Sequence, residues 1–325
     1  MPRIIKPAVG SFTTADITVD SSGRIIDAST GSAGGTFITA TGGTITTVGD
    51  YKVHTFKTSG TFTVTAVGSG APESDKVEYV VVGGGGGGAG GQTAPGGGGG
   101  GGGYRSSGIS FPDPRASNER ITVTAQAYPI TVGAGGSAGG PGSSGGTGGT
   151  STFATITSGG GGGGSVNGQA SDAAGSGGGP GKNGPHPGGS SPTSPTTPEQ
   201  GHPAQPTGPS HTTGGTAGGG AMSNRSNVAT AAGGIGCYVL GNSIAQNLTD
   251  PNYSGTAWGL VLAGGGGSNR PSASAGDASN ELGFESSSPN SNNIDNTGCG
   301  GFGLTGTSSG AGGSGVVYIR YRFQS

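Results

Sequence analysis

The chain has 325 residues, of which 81 are glycine and 20 are proline, and only 28% are apolar. Charged residues make up 9% and the formal net charge is −2. That balance excludes a basic nucleic-acid surface and lacks the charge density of a solvating disordered chain. An apolar core of ordinary thickness cannot be built from this composition, so any fold must lean on backbone hydrogen bonds.

The amino terminus, "MPRIIKPAVGSF", sets a proline on either side of the apolar pair Ile4–Ile5 and lacks the apolar region of a signal peptide. No apolar run approaches the length of a bilayer span. Residues 15–29, "ADITVDSSGRIIDAS", predict strand, turn and strand, with Asp20 to Gly23 as the turn. Asp16 and Asp20 share a strand face, where turn and surface carboxylates are a simpler reading than a cation site. From 36 to 67, β-branched and aromatic residues alternate between "TGG", "VGDY" and "TSG" turns, and predict a run of antiparallel strands.

Beyond residue 76 one pattern repeats, in which a strand-like stretch enters glycine. It occurs in "VEYVVVGGGGGG" from Val77, "AYPITVGAGG" from Ala127, "FATITSGGGGGG" from Phe153 and "AWGLVLAGGGG" from Ala257. The final segment reverses it, as "GAGGSGVVYIRYRF" leaves glycine for Val316, Val317, Tyr318 and Ile319. Without Cβ atoms, chains can approach closely enough to pack as extended three-residue helices of the polyproline-II type. A lone helix of this kind has no internal hydrogen bonds and must find partners in neighbours. Ordering each residue costs roughly 1–2 kcal/mol of backbone entropy, so a single run cannot order itself while a bundle can. In "GGTGGT" (145–150), the three-residue period puts Thr147 and Thr150 on one edge. Glycine in runs, rather than at every third position, excludes collagen.

The expected fold class is therefore all-β: an antiparallel sheet or sandwich continued into a polyglycine-II bundle, with long surface loops. Residues 1–34 read as a separate leader, 35–76 as opening strands, and 77–325 as the glycine-rich head. Three segments read as exposed loops: 104–120, 180–215 (rich in Pro, Ser, Thr and Gly) and 268–296. No segment carries a convincing helical period.

Patterns that carry catalysis fail. "GKN" at 181–183 lacks the glycine spacing and the Ser or Thr of a phosphate loop, and neither H-E-x-x-H nor a GxSxG elbow with a partner histidine occurs. His54 lies in a strand; His186, His202 and His211 fall in the Pro-rich loop with Glu199, irregularly spaced, as solvated residues do rather than metal ligands. No enzyme activity, cofactor or metal is expected. Cys237 and Cys299 are too few for a disulfide framework; one bridge and two free thiols both stay open. The N-x-S/T triplets at Asn224, Asn247 and Asn252 come freely in so Asn- and Ser-rich a chain.

Aromatic rings near loops, Tyr104, Phe111, Tyr238, Tyr253 and Phe284, suit either stacking on sugars or plugging a thin core. Tyr238 and Trp258 fit the core better. An ice-binding surface would need Thr or Ala rows across many units, and only "GGTGGT" offers one.

Together, "YKVHTFKTSGTFTVT" (51–65), "VEYVVVGGGGGG" (77–88) and the terminal "GGSGVVYIRY" (312–321) resemble the glycine-rich domain of tailed-bacteriophage virion proteins, tail-fibre or capsid-associated fibre components, many from marine and cyanobacterial phages. The resemblance covers roughly 36–325, and the leader is similar, more loosely, to virion-proximal leaders. It implies a fibre or short spike on the virion surface, made in the host cytoplasm, joined to other virion proteins through the N-terminal segment, and homotrimeric. A bacterial surface glycan or outer-membrane protein is the implied receptor, with neither nucleic acid nor membrane insertion involved. Tyr104, Phe111, His186, His202, His211 and Phe284 are the candidate receptor contacts. A capsid- or tail-decorating protein without receptor binding is the alternative. The chain departs from long fibres in having no repeat shaft and no coiled-coil heptads.

Overall fold

The computed structural model describes residues 15–30, 35–70, 74–107, 119–166, 174–181, 199–204, 215–221, 237–239, 260–268 and 295–324. Among the described residues all extended elements are strands and none is a helix. β1 (Ala15–Val19) and β2 (Ile25–Thr30) form a two-stranded antiparallel sheet. Asp20 shapes their turn: its Oδ1 accepts the N–H groups of Ser22 and Arg24 at 2.9 and 3.0 Å. That is the role expected of a turn aspartate.

The next strands are β3 (Thr39–Thr41), β4 (Thr44–Val48), β5 (Tyr51–Phe56), β6 (Gly60–Ala66) and β7 (Lys76–Val82). Short β8 (Gly90–Gly91), β9 (Tyr104–Ser106) and β10 (Ile121–Thr122) follow. Then come β11 (Ala127–Thr131), β12 (Ser151–Phe153), β13 (Ile156–Ser158), β14 (Cys237–Val239), β15 (Leu260–Leu262), β16 (Leu304–Thr305) and β17 (Val316–Arg322). A six-stranded sheet has the order β10-β7-β17-β5-β4, with β9 also on β7; a five-stranded sheet has the order β13-β12-β11-β6-β3. The carboxy-terminal strand β17 therefore sits in the middle of the larger sheet, antiparallel to both β5 and β7. Strands from 35–76 and from 77–325 share both sheets.

The β3–β4 corner shows why glycine stands between two β-branched strands. Gly42 has a φ of +111°, and a Cβ there would lie 2.0 Å from the carbonyl oxygen of Thr61. No other residue type combines that conformation with that approach.

One apolar cluster gathers Phe56, Val77, Tyr79, Val81, Val317, Ile319 and Tyr321 from the larger sheet with Phe62, Val64, Tyr128, Ile130 and Phe153 from the smaller. The opposite face of the larger sheet carries Val53, Val80, Val82, Val316 and Tyr318, which pack with Tyr104, Ala221, Leu262 and Ala263. Burial on both faces explains the unbroken apolar runs "YVVV" and "VVYI".

The glycine runs continue from these strands. The run 83–90 donates its N–H groups to three other runs in rotation. Gly83, Gly86 and Ala89 donate to Gly103, Gly100 and Gly97; Gly84 and Gly87 to Gly149 and Gly146; Gly85 and Gly88 to Gly313 and Gly310, all at 2.8–3.0 Å. Its carbonyls accept from three further runs: Gly84 and Gly87 from Gly161 and Gly164, Gly85 and Gly88 from Gly136 and Gly139, Gly86 and Ala89 from Gly301 and Leu304. Hydrogen bonding thus recurs every three residues and surrounds the run on all sides. Thr147 and Thr150 are both exposed, on a run whose Gly146 and Gly149 accept from Gly87 and Gly84.

Candidate functional site

Several insertions separate the described stretches, and the residues that flank them on the hydrogen-bonded frame define the candidate site. Val82 of β7 runs into Gly83, and Gly315 runs into Val316 of β17, so the sheets cap one end of the bundle. The turns at 91–96, 140–143 and 305–309 lie at the other. There Gly90 bridges Pro141 in parallel, and β16 pairs with β8 in parallel. Ser309, in the last of these turns, is bonded to the runs that lead into the other two. Its Oγ lies 2.5 Å from the Gly88 carbonyl and 2.9 Å from that of Gly139, and it accepts the Gly139 N–H at 2.8 Å.

Three segments begin or end at this far end. Pro180, just before 182–198, accepts the Thr216 N–H, just after 205–214. Ser268, just before 269–294, donates its hydroxyl to the Gly96 carbonyl at 2.7 Å.

Residues 108–118 leave from elsewhere. Residues 104–106 pair with 80–82 of β7, and 121–122 pair with 76–77, so β9 and β10 are two parts of one edge strand interrupted by an insertion. Its feet are clamped. Ser107 donates its N–H to the Tyr79 carbonyl at 3.0 Å, and its Oγ accepts the Tyr79 N–H at 2.9 Å. On the other side Arg120 reaches Glu78 Oε1 through Nε at 2.9 Å and a terminal nitrogen at 2.8 Å. Glu78 also pairs with Arg320 opposite it on β17, whose Nε donates to Oε2 at 2.6 Å. Arg320 in turn stacks over the Tyr51 ring at 4.6 Å.

The loop expected over 180–215 is divided. Residues 199–204 run inside the bundle: Gln200 and Ala204 are buried, Gln200 accepts the Tyr104 N–H at 2.9 Å, and His202 accepts the Gly177 N–H at 3.0 Å. The Gln200 side chain accepts the Gly159 N–H at 2.9 Å and donates to the Thr157 carbonyl at 3.1 Å. The sequence signal was slight, "QGHP". Its proline is compatible with an extended three-residue helix just as with a loop.

Of the candidate contacts, Tyr104 is a core residue, 6% exposed and packed among Val80, Val82 and Tyr318. The expected exposed loop over 104–120 thus begins only after Ser107, because the glycine run leads straight into an edge strand whose aromatic ring fills the thin core. His202 is half-buried, its Nδ1 3.9 Å from Glu199 Oε1. Phe111, His186, His211 and Phe284 lie outside the described residues. No group of three or more His, Cys, Asp and Glu suited to a metal ion occurs among the described residues. His54, singled out only as a strand histidine, is fully buried, with Nδ1 2.7 Å from the Gly42 carbonyl and Nε2 3.1 Å from the Tyr321 hydroxyl. Burial holds its pKa below the ordinary histidine value, a neighbouring Lys52 adding to the effect against the Gly42 hydrogen bond. The Cys299 thiol is buried and held above its usual pKa by that burial, which makes it a poor nucleophile.

These features define a class of protein: a β-sheet body extended by a bundle of glycine runs, with inserted segments held at their feet. The chain belongs to the family described as the glycine-rich domain, whose profile matches residues 56–322. No curated protein matches it.

Proposed function

We propose that this protein is a phage virion structural protein, a tail-fibre or short spike component that presents a rigid glycine-rich head for host-surface attachment. In this reading residues 1–34 face the particle and join other virion proteins. The body is an antiparallel sandwich continued into a polyglycine-II bundle. The segments 108–118, 182–198, 205–214 and 269–294 make the contacts, and the receptor is a bacterial surface glycan or outer-membrane protein.

One observation carries the reading. A glycine run bonded to six neighbours at a three-residue period gives stiffness with almost no apolar bulk. The segments between described residues are tied to that frame by hydrogen bonds at Ser107, Pro180, Thr216 and Ser268. Such a frame tolerates variation in what it displays. The burial of Tyr104 favours a second reading, since it removes one expected recognition ring. In that reading the protein decorates a capsid or tail, and its segments touch only neighbouring subunits.

The test is binding of the full chain to a panel of candidate bacterial cells, beside variants lacking 182–198 or 205–214 but keeping the internal run 199–204. Saturable binding to some strains, lost with one segment, supports attachment and locates it. Absence of binding to every strain by a folded protein leaves decoration as the function.

A further inference from the structure

The five-stranded sheet β13-β12-β11-β6-β3 turns Phe62, Val64, Tyr128, Ile130 and Phe153 into the apolar cluster, and alternation sends the residues between them to the opposite face. Those outward positions form rows across the strands. Thr157, Thr152 and Thr131 lie side by side on β13, β12 and β11. Thr61 lies beside Pro129, and Ala127, Thr63 and Thr41 lie side by side on β11, β6 and β3. Thr65 and Thr39 extend β6 and β3 by one more position each. Every outward position except Ala127 and Pro129 is thus a threonine, and none is charged or aromatic. Thr65 donates its hydroxyl to the Thr39 carbonyl at 3.0 Å. The other hydroxyls of the face have no partner among the described residues. The rows are hidden in the sequence, because each gathers residues that are far apart along the chain.

We infer that this threonine face binds ice. The chemistry of the face selects its occupant. A sugar is held by a ring stacked on it, an anionic surface by Lys and Arg, and a protein by buried Trp, Tyr or Arg anchors. The face offers none of these. It offers a neutral array of methyl and hydroxyl groups, each held near one orientation by branching at Cβ. Neighbouring strands set the threonines of a row ~4.7–4.9 Å apart, and successive rows stand ~6.8 Å apart. In tetrahedral water, hydrogen bonds of ~2.7–2.8 Å place next-nearest oxygens ~4.5 Å apart. Water bound along a row is therefore spaced nearly as it is in the crystal, and a growing crystal can incorporate that layer. The residues that flank the inserted segments, Ser107, Arg120, Pro180, Thr216 and Ser268, all lie outside these five strands. Ice binding is therefore independent of the host attachment proposed above.

Growth of a single ice crystal in a solution of the full chain, cooled slowly from its melting point, tests it. The native protein is expected to arrest growth over an interval below the melting point and to give the crystal flat facets. The double variant Thr61→Lys, Thr131→Lys places charge at two exposed positions on the adjacent strands β6 and β11. It is expected to lose the interval while its thermal unfolding matches that of the native chain, and each single variant to shorten it. Thr47→Lys, exposed on edge strand β4 of the other sheet, keeps the full interval. A native chain in which ice grows as freely as in buffer overturns the inference, whatever polysaccharide or cell surface it binds. So does an interval that persists unchanged in the double variant.

Discussion

Gly86 and Gly99 approach so closely that a Cβ built on Gly99 would stand 2.0 Å from the carbonyl oxygen of Gly86. Neither chain can step aside. Gly99 donates to Gly301 and accepts from Gly266, while Gly86 donates to Gly100 and accepts from Gly301. Here a glycine is required by the neighbouring backbone and not by its own φ and ψ.

Gly99→Ala is therefore expected to cost at least the ~1–3 kcal/mol typical of overpacking, because only backbone atoms are available to move. Gly140→Ala is the control. A methyl group added at Gly140 would meet nothing within 4 Å, and its φ is not left-handed, so the variant is expected to be neutral or to stabilise by up to about 1 kcal/mol. Urea unfolding of the two variants checks both outcomes. Equal stabilities would show that the close approach is not what glycine serves here.

Gln200→Ala tests whether the internal run 199–204 is part of the frame. The substitution leaves the Gly159 N–H without its 2.9 Å acceptor and the Thr157 carbonyl without its 3.1 Å donor. Stranding a buried donor costs roughly 1–3 kcal/mol, and a loss of stability of that size is the expected result of an unfolding titration. A change within error would mean that the run lies on the bundle without supporting it.

His54 makes stability depend on pH in a defined direction. Its Nδ1–H donates to Gly42, which leaves Nε2 to accept from the Tyr321 hydroxyl, so the folded state holds the ring neutral. Burial lowers its folded pKa, whereas the unfolded chain has the ordinary value of about 6.5. Above about pH 6.5 neither state binds the proton and this group's contribution is fully present. As pH falls below that value the unfolded state takes up a proton that the folded state refuses. Stability then drops, by at most about 1.4 kcal/mol per pH unit, until the folded pKa is passed. Unfolding at about pH 7.5, 6.5 and 5.5 should reveal the slope, and His54→Gln should flatten it. A slope that is the same in both proteins would assign it to other groups.

The strands were legible because local chemistry and final environment agree. β-branched and aromatic residues fill β4 to β7, and "DSSG" and "VGDY" fall at the turns. The order of the glycine runs was legible for a similar reason, since apolar strands feed them. What stayed hidden is non-local. Nothing near Val316 says that β17 inserts between β5 and β7, and nothing near Tyr104 says that it joins an apolar cluster with Leu262 and Ala263. Gln200 reads as loop because its partners, Thr157 and Gly159, lie about forty residues earlier in the chain. The loop read over 104–120 is likewise shorter than its sequence suggests, because Ser107, before 108–118, is still bonded to the sheet edge at Tyr79. That position depends on a strand interrupted in its middle, and an interrupted strand looks like two short fragments in sequence.

The Glu78 clamp links that interruption to stability. Glu78 and Arg320 are 5% and 7% exposed and face each other across β7 and β17, while the Arg120 side chain is 33% exposed at the foot of the insertion. The two arginines should therefore separate in effect. Arg320→Met leaves a buried carboxylate with only its outer partner, and breaking such a pair costs about 3–5 kcal/mol, so global unfolding should shift by that order. Arg120→Ala removes a partly solvated partner whose place water can take, and a global loss of about 1 kcal/mol or less is expected. Its larger effect should be local: faster proteolysis within 108–118 while the rest of the chain stays protected. If Arg120→Ala instead lowered global stability as much as Arg320→Met, the insertion would be part of the sheet's support and not a segment displayed from its edge.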